Sequence, residues 1–346
     1  MALILKTDMV VVGNTLGNVR DSLSVNDIVN DFTSRVSLDG GVIVNATYLN
    51  QLATFLVENK LSGKVRNIAS PSLAVKKDAS NNVIRLYGLF GADFEPNYYT
   101  QSAGVVTDKG GSYISVDRQL KYFDGQASGI RPYILTNTSS TGSTASGSGG
   151  VLKEKNSNYI CASNLSTFIV SALNDETSRL TTPLLGFLSS NPNDKNPVHT
   201  VSCAPGTVTD SVVYRLYDTR NDAAVQDGYF SSLNSDKTIN SNMALSAIQS
   251  KKVISSFYTG SNNNTFIFCN QNAALEYINY TSVTRAITNQ ISVKSKTKVN
   301  LSVPYIYTGN GYTFPNIKVH DIIVMRDLTL DQHKKVLEFL NSVVSV

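Results

Sequence analysis

The sequence predicts a mainly β protein: an antiparallel β-sandwich with a short helical N-terminal region and a C-terminal capping helix. Three observations carry that expectation. From Leu61 onward, short apolar runs bounded by Gly, Asn, Asp and Pro recur with no helical pattern between them, which favours packed antiparallel sheets over βαβ units. Helical periodicity is clearest over residues 24–60 and again after Thr329. Tyr, Asn, Ser and Thr are abundant and Trp is absent, as suits strands with a polar outer face.

The totals bound what the chain can be. It has 346 residues, 41% apolar and 16% charged, with a formal net charge of +4. That length suits one large β domain with an addition, or two domains. Lys and Arg are scattered along the chain. A nucleic-acid groove needs them focused on one face, so no nucleic-acid partner is expected. No stretch reaches the ~20 apolar residues of a membrane span, and no signal-peptide pattern precedes the N-terminal VVV run. Cys161, Cys203 and Cys269 are odd in number and far apart, which predicts free thiols and no zinc spacing.

Taken in order, Ser24 supplies an N-cap and Asp27 an acidic first turn. Val25, Ile28, Val29 and Phe32 then fall on one helical face, until Asp39, Gly40 and Gly41 break the pattern. A second helix follows Asn45, with Leu49, Leu52, Phe55 and Leu56 on its buried side. Two stripes this narrow make little core alone, so they must pack on the rest of the chain or on another subunit. "SLAVKKDASNNVIRLYGLF" is two apolar runs around an Asp78–Asn82 turn, a β-hairpin. Strand runs follow, among them GVVTD, SYISVD, PYILT, STFIVSAL, HTVSCA, SVVYRLYD, KVISSFYTG, NTFIFCN and TKVNLSV. Residues 137–150, NTSSTGSTASGSGG, read as a surface loop between strands. Val319, Ile322, Ile323, Val324 and Met325 make a strand apolar on both faces, as a central strand under a cap is. Thr329 with Gln332 is a capping box, and Val336, Phe339, Leu340, Val343 and Val344 give the following helix one apolar face.

Motifs for chemistry are sparse. Gly13 follows an apolar run, but neither a dinucleotide fingerprint nor a P-loop surrounds it. Glu58, Glu95, Glu154, Glu176, Glu276 and Glu338 are isolated, and none begins the E-x-D-x-x-E run of strand-borne glycosidase carboxylates. Asp218, Asp222 and Asp227 read as a solvated turn, with spacing unlike an EF-hand. His199 and Cys203 lie four residues apart on a strand, ~13 Å, too far for proton transfer. Turns rich in Tyr and Asn are the better candidates, because sugar recognition uses aromatic platforms with amide partners. They offer Tyr258 and Asn263 in "YTGSNNNTF", and Tyr305, Tyr307, Asn310 and Tyr312 in "PYIYTGNGYTF".

Residues in three places carry a resemblance. "FPNIKVHDIIVMRDLTLDQHKKVLEFL" resembles the end of concanavalin-like (laminin-G-like) jelly-roll modules, with Met325, Arg326, Asp327, Leu328 and Thr329 on the strand-to-helix pattern. "FDGQASGIRPYIL" is similar to the early part of such modules in phage proteins. "DFTSRVSLDGGVIVNATYLNQL" and "SPSLAVKKDASNNVIRLYGLFGADF" resemble N-terminal parts of tailed-bacteriophage virion proteins. Arg35, Val36, Asp39, Gly40, Gly41 and Val42 match the first motif, and Ala74, Lys76, Arg85, Leu86, Tyr87 and Leu89 the second.

The resemblance implies a virion structural protein, a fibre, fibre-base or decoration subunit carrying a concanavalin-like jelly roll. On that reading residues 1–62 dock and oligomerise the chain, most simply as a trimer, 63–98 are a hairpin connector, and 99–346 are the jelly roll. The jelly roll would bind a host-surface glycan or another virion protein. The chain is then expected to be no enzyme and to need no cofactor or metal. The alternative is a free lectin or glycoside hydrolase of the same fold.

Overall fold

The computed structural model describes residues 19–90, 92–102, 105–111, 119–125, 131–140, 147–155 and 317–344, together with the strands between 159 and 303 named below. In chain order the elements begin with α1 (Val25–Leu38), β1 (Val42–Ile43), α2 (Ala46–Glu58), β2 (Val65–Ala69), β3 (Ala74–Lys77) and β4 (Val83–Leu86). Next come β5 (Phe94–Ser102), β6 (Val105–Gly110), β7 (Lys121–Phe123), β8 (Tyr133–Leu135), β9 (Asn137–Ser140), β10 (Gly147–Glu154), β11 (Tyr159–Ile160) and β12 (Leu165–Leu173). Then follow β13 (Thr182–Ser189), β14 (Pro197–Pro205), β15 (Ser211–Asp218), β16 (Tyr229–Phe230), β17 (Met243–Ala244) and β18 (Lys252–Tyr258). The chain closes through β19 (Asn264–Gln271), β20 (Ala274–Thr281), β21 (Lys298–Val303), β22 (Ile317–Arg326) and α3 (Leu330–Val344).

These strands make two antiparallel sheets, the mainly β sandwich expected. The larger runs β1-β3-β4-β5-β10-β21-β13-β14-β15-β16, and the smaller β20-β19-β18-β12-β22-β8-β7 with β2 also against β22. Local signals set most boundaries. Ser24 and Asp27 form a reciprocal capping box, Asn45 accepts from the Tyr48 amide, and Thr329 and Gln332 cap α3 reciprocally. The Asp78–Asn82 turn is held by Asp78, whose carboxylate accepts from the Ser80 and Asn82 amides.

Residues 137–140 and 147–150 are strands where a loop was expected. β9 pairs with the start of β10, which also lies against β5, with Gly149 opposite Tyr99 and Gly150 opposite Tyr98. Backbone pairing needs no apolar pattern, and glycines opposite two tyrosines leave the rings room.

β22 is buried on both faces, as its sequence requires. On one face Ile323 and Met325 join a core with Phe168 and Val170 of β12. That core also holds Ile28, Phe32 and Val36 of α1, Leu49, Leu52 and Leu56 of α2, and Val336, Leu337 and Leu340 of α3. The N-terminal helices therefore pack on the rest of this chain. Phe55 and Phe339 sit at the rim and stack on each other at 4.4 Å. On the other face Ile322 and Val324 are fully buried.

Two buried ionic contacts tie the layers together. Glu154 of β10 accepts from both Arg66 (2.9 Å) and Asn67 (2.7 Å) of β2. Consecutive strand residues normally face opposite ways. The register shift between Val65 and Asn67 against β22 marks a bulge that turns both toward the larger sheet. Asp321 of β22 takes both arms of Arg131, at 2.9 and 3.0 Å, and the Tyr48 hydroxyl of α2 at 3.0 Å.

Candidate functional site

Of the residues singled out in the sequence for sugar binding, Tyr258 has its backbone at the end of β18, opposite Leu165 and Thr265. Asn263, Tyr305, Tyr307, Asn310 and Tyr312 lie outside the described residues. An aromatic surface among the described residues lies elsewhere, on β7 and β8.

Phe123 and Tyr133 are direct cross-strand partners. Their rings stack at 4.8 Å with 13° between planes, and Phe123 is 40% exposed. Alternation places Lys121, Phe123, Tyr133 and Leu135 on one face of the hairpin pair, while Tyr122 and Ile134 point into the protein. Lys318 of β22 is the cross-strand partner of Leu135 and holds its ammonium 5.5 Å from the Tyr133 ring centroid. Beneath the stack lies buried His320, tilted 5.6 Å from Tyr133. Its Nδ1 lies 3.0 Å from the Pro132 carbonyl, an acceptor only, so Nδ1 carries the proton. Lys121 is anchored on Asn82 and Ser80. Burial pushes the Tyr133 phenol above its ordinary value, so at neutral pH its hydroxyl both donates and accepts. The result is a flat apolar platform with a cation and a phenol at its margin.

A second polar surface crosses the larger sheet. Asp39 accepts from Arg85 (2.7 Å) and Tyr87 (2.5 Å), and Lys76 donates to its backbone carbonyl at 2.5 Å. Arg85 also reaches Glu95 at 2.8 Å, where Lys155 meets it at 2.7 Å. Arg35 donates to Asp93 and to the Gly88 carbonyl. The hydrogen bond from Tyr87, helped by Arg85 and Lys76, holds the Asp39 carboxyl below its ordinary value. Burial works to raise Asp108, but Lys153, Asn97 and the Gly110 amide outweigh it and hold this carboxyl low as well. Both carboxylates stay ionised at neutral pH and act as hydrogen-bond acceptors. Among the described residues no group of His, Cys, Asp or Glu is arranged to hold a metal ion.

The platform escaped the sequence reading because its two halves are separated by residues 124–132. "KYF" and "PYIL" show their alternation locally. Nothing local fixes the register that brings Phe123 opposite Tyr133.

No protein family and no curated protein matches this sequence. Solved structures similar to it include one reported for endo-acting O-glycanases that human gut microbiota express to initiate mucin breakdown. It is 10% identical with a TM-score of 0.40, covering 67% of this chain and 92% of that one. Another is the botulinum neurotoxin type C structure, whose cell entry depends on two ganglioside molecules, at 12% identity and a TM-score of 0.41. This covers 83% of the present chain and 52% of the toxin chain. Alginate lyase A1-II′ is a third, at 9% identity and a TM-score of 0.34, covering 67% and 96%. These likenesses concern the fold alone. They do correct one expectation: glycan-cleaving enzymes stand among the similar structures, so the exclusion of an enzymatic role is withdrawn.

Proposed function

We propose that this chain is a β-sandwich module that recognises a glycan, with Phe123 and Tyr133 as its platform. The observation that supports it is the stacked pair, with Phe123 exposed, Tyr133 half-buried and Lys318 beside them. The apolar face of a pyranose lies well on an aromatic ring, and polar groups at the margin meet its hydroxyls or an acidic substituent. The test is glycan binding by full-length protein and by Phe123→Ala and Tyr133→Ala, with thermal melts as the control for folding. Binding lost in both variants at unchanged melting temperature is the expected result. Retention of full affinity in both would end this reading. The same incubations, assayed for new reducing or unsaturated sugar ends, distinguish a lectin from a glycan-cleaving enzyme.

A second reading concerns setting: a fibre or decoration subunit on a phage particle, docked and trimerised through residues 1–62. It rests on the resemblance of the segments 31–52 and 70–94 to N-terminal parts of tailed-bacteriophage virion proteins. Mass spectrometry of purified particles tests the location, and light scattering tests the trimer.

A further inference from the structure

The face of β7 and β8 that carries the aromatic pair continues onto β22. Cross-strand pairing sets Lys121 opposite Leu135, and Leu135 opposite Lys318. The neighbouring row on that face is Phe123 opposite Tyr133, with the His320 ring 5.6 Å from the tyrosine. Two rows therefore cross the same three strands side by side, one with a lysine at each end and one built of rings.

The middle of this surface is held in place from β22. Arg131 grips Asp321 with both arms, at 2.9 and 3.0 Å, and His320 Nδ1 donates to the Pro132 carbonyl at 3.0 Å. The two residues before Tyr133 are thus anchored to the strand that bears Lys318. Ring and ammonium keep their spacing before any ligand arrives, which lowers the ordering cost of binding.

The two lysines differ in how their charge is met. Lys121 donates to Asn82 and to the Ser80 carbonyl, and lies beside Asp78. Among the described residues Lys318 has the Tyr133 ring, 5.5 Å away, and no carboxylate partner. A ring face attracts a cation but takes none of the directed N–H bonds of an ammonium, which has three to give. Asp124 follows Phe123 in sequence, yet it acts on Tyr122, whose side chain points into the protein.

Strand order places Phe123 and Lys318 on either side of Tyr133, with 4.8 Å between the ring centroids and 5.5 Å from centroid to ammonium. A pyranose lying against Phe123 leaves the substituent of the adjoining sugar over Lys318. We infer, building on the glycan-binding role proposed for Phe123 and Tyr133, that the ligand is an acidic oligosaccharide. One sugar packs against Phe123, and an anionic substituent of the next, a carboxylate or a sulfate ester, pairs with Lys318. The rings supply contact and Lys318 sets specificity. An ammonium is a point charge with rotatable donors, so it meets either oxyanion without demanding a planar match.

The experiment is calorimetric titration of the full chain with two matched pairs of probes. One pair is an oligogalacturonate and its carboxyl-reduced counterpart, and the other a sulfated galactan oligosaccharide and its desulfated form. Lys318→Gln, Lys318→Arg and Phe123→Ala are titrated beside the wild type, with thermal melts as the control for folding. In at least one pair the wild type should prefer the anionic member by about tenfold or more, the size of one charge-assisted hydrogen bond. The pair that discriminates assigns the substituent as carboxylate or sulfate. Lys318→Gln should bring the ratio of the two affinities close to one, and Lys318→Arg should keep it. Equal binding of both members of each pair by the wild type, or a ratio unchanged in Lys318→Gln, overturns the acidic ligand. Neutral binding that Phe123→Ala weakens would in that case leave the platform standing. Absence of binding to all four probes overturns both.

Discussion

The Tyr87 hydroxyl donates to Asp39 at 2.5 Å, and the Tyr87 ring lies directly against Gly41 two residues further on. A helix end, a glycine turn and the end of a hairpin strand are thereby fixed to one another, next to the β1–β3 pairing of Val42 with Val75. Gly40 and Gly41 have different reasons to be glycine. Gly40 needs a φ of +73° with open space around it, whereas a side chain on Gly41 would collide with the tyrosine.

That difference is measurable. Gly41→Ala should cost ~1–3 kcal/mol, the range for overpacking a filled site. Gly40→Ala is strained only in its backbone and should cost ~1 kcal/mol. Chemical denaturation of the two variants checks the order. Equal losses would mean the Tyr87 ring gives way without penalty.

His333 on α3 is fully buried with its ring stacked 4.4 Å from Phe168. Burial lowers its pKa to about 3 from an ordinary 6.5. Between those values the unfolded chain binds a proton that the folded chain refuses, so stability falls as pH falls. The contribution is fully present above about pH 6.5 and is lost progressively toward pH 3. Urea midpoints from pH 7.5 to 4 should decline more steeply in the wild type than in His333→Leu. Parallel slopes would remove His333 from the account.

The Arg131–Asp321 pair bridges the strand β22 to the segment before β8, with Asp321 1% exposed. Arg131→Met strands a buried carboxylate and should cost ~3–5 kcal/mol. Replacing both members with apolar residues of similar size should recover most of that loss. A double-mutant cycle separates the two effects. A cycle showing no coupling would mean that the pair does not hold these elements together.

What the sequence made legible was local. The capping residues Ser24, Asn45 and Thr329, the Asp78–Asn82 turn and the doubly apolar β22 each declare themselves within a few positions, and each folds as its pattern says. Phe339 shows the limit. Helical periodicity places it on the apolar face with Leu340, yet only Leu340 is fully buried while Phe339 stacks on Phe55 at the rim. Periodicity gives a face, and the width of the partner decides how much of it is covered. The Phe123–Tyr133 platform and the Arg66 bulge depend on register between distant segments, which no local window contains.

The position of β22 has a consequence for how the molecule comes into being. It lies between β12 on one side and β2 and β8 on the other, so the middle of the smaller sheet is the last of its strands to be synthesised. Until residue 326 is available, β2, β8 and β12 present unpaired edges, and the helices above them lack Ile323 and Met325. Pairings this distant in sequence are slow to form, and open edges invite pairing with other chains. Assembly on the ribosome can therefore advance the larger sheet's early hairpins first, and the smaller sheet closes only once β22 has been made. Its yield should depend on chain concentration and on chaperones more than on the stability of the finished fold.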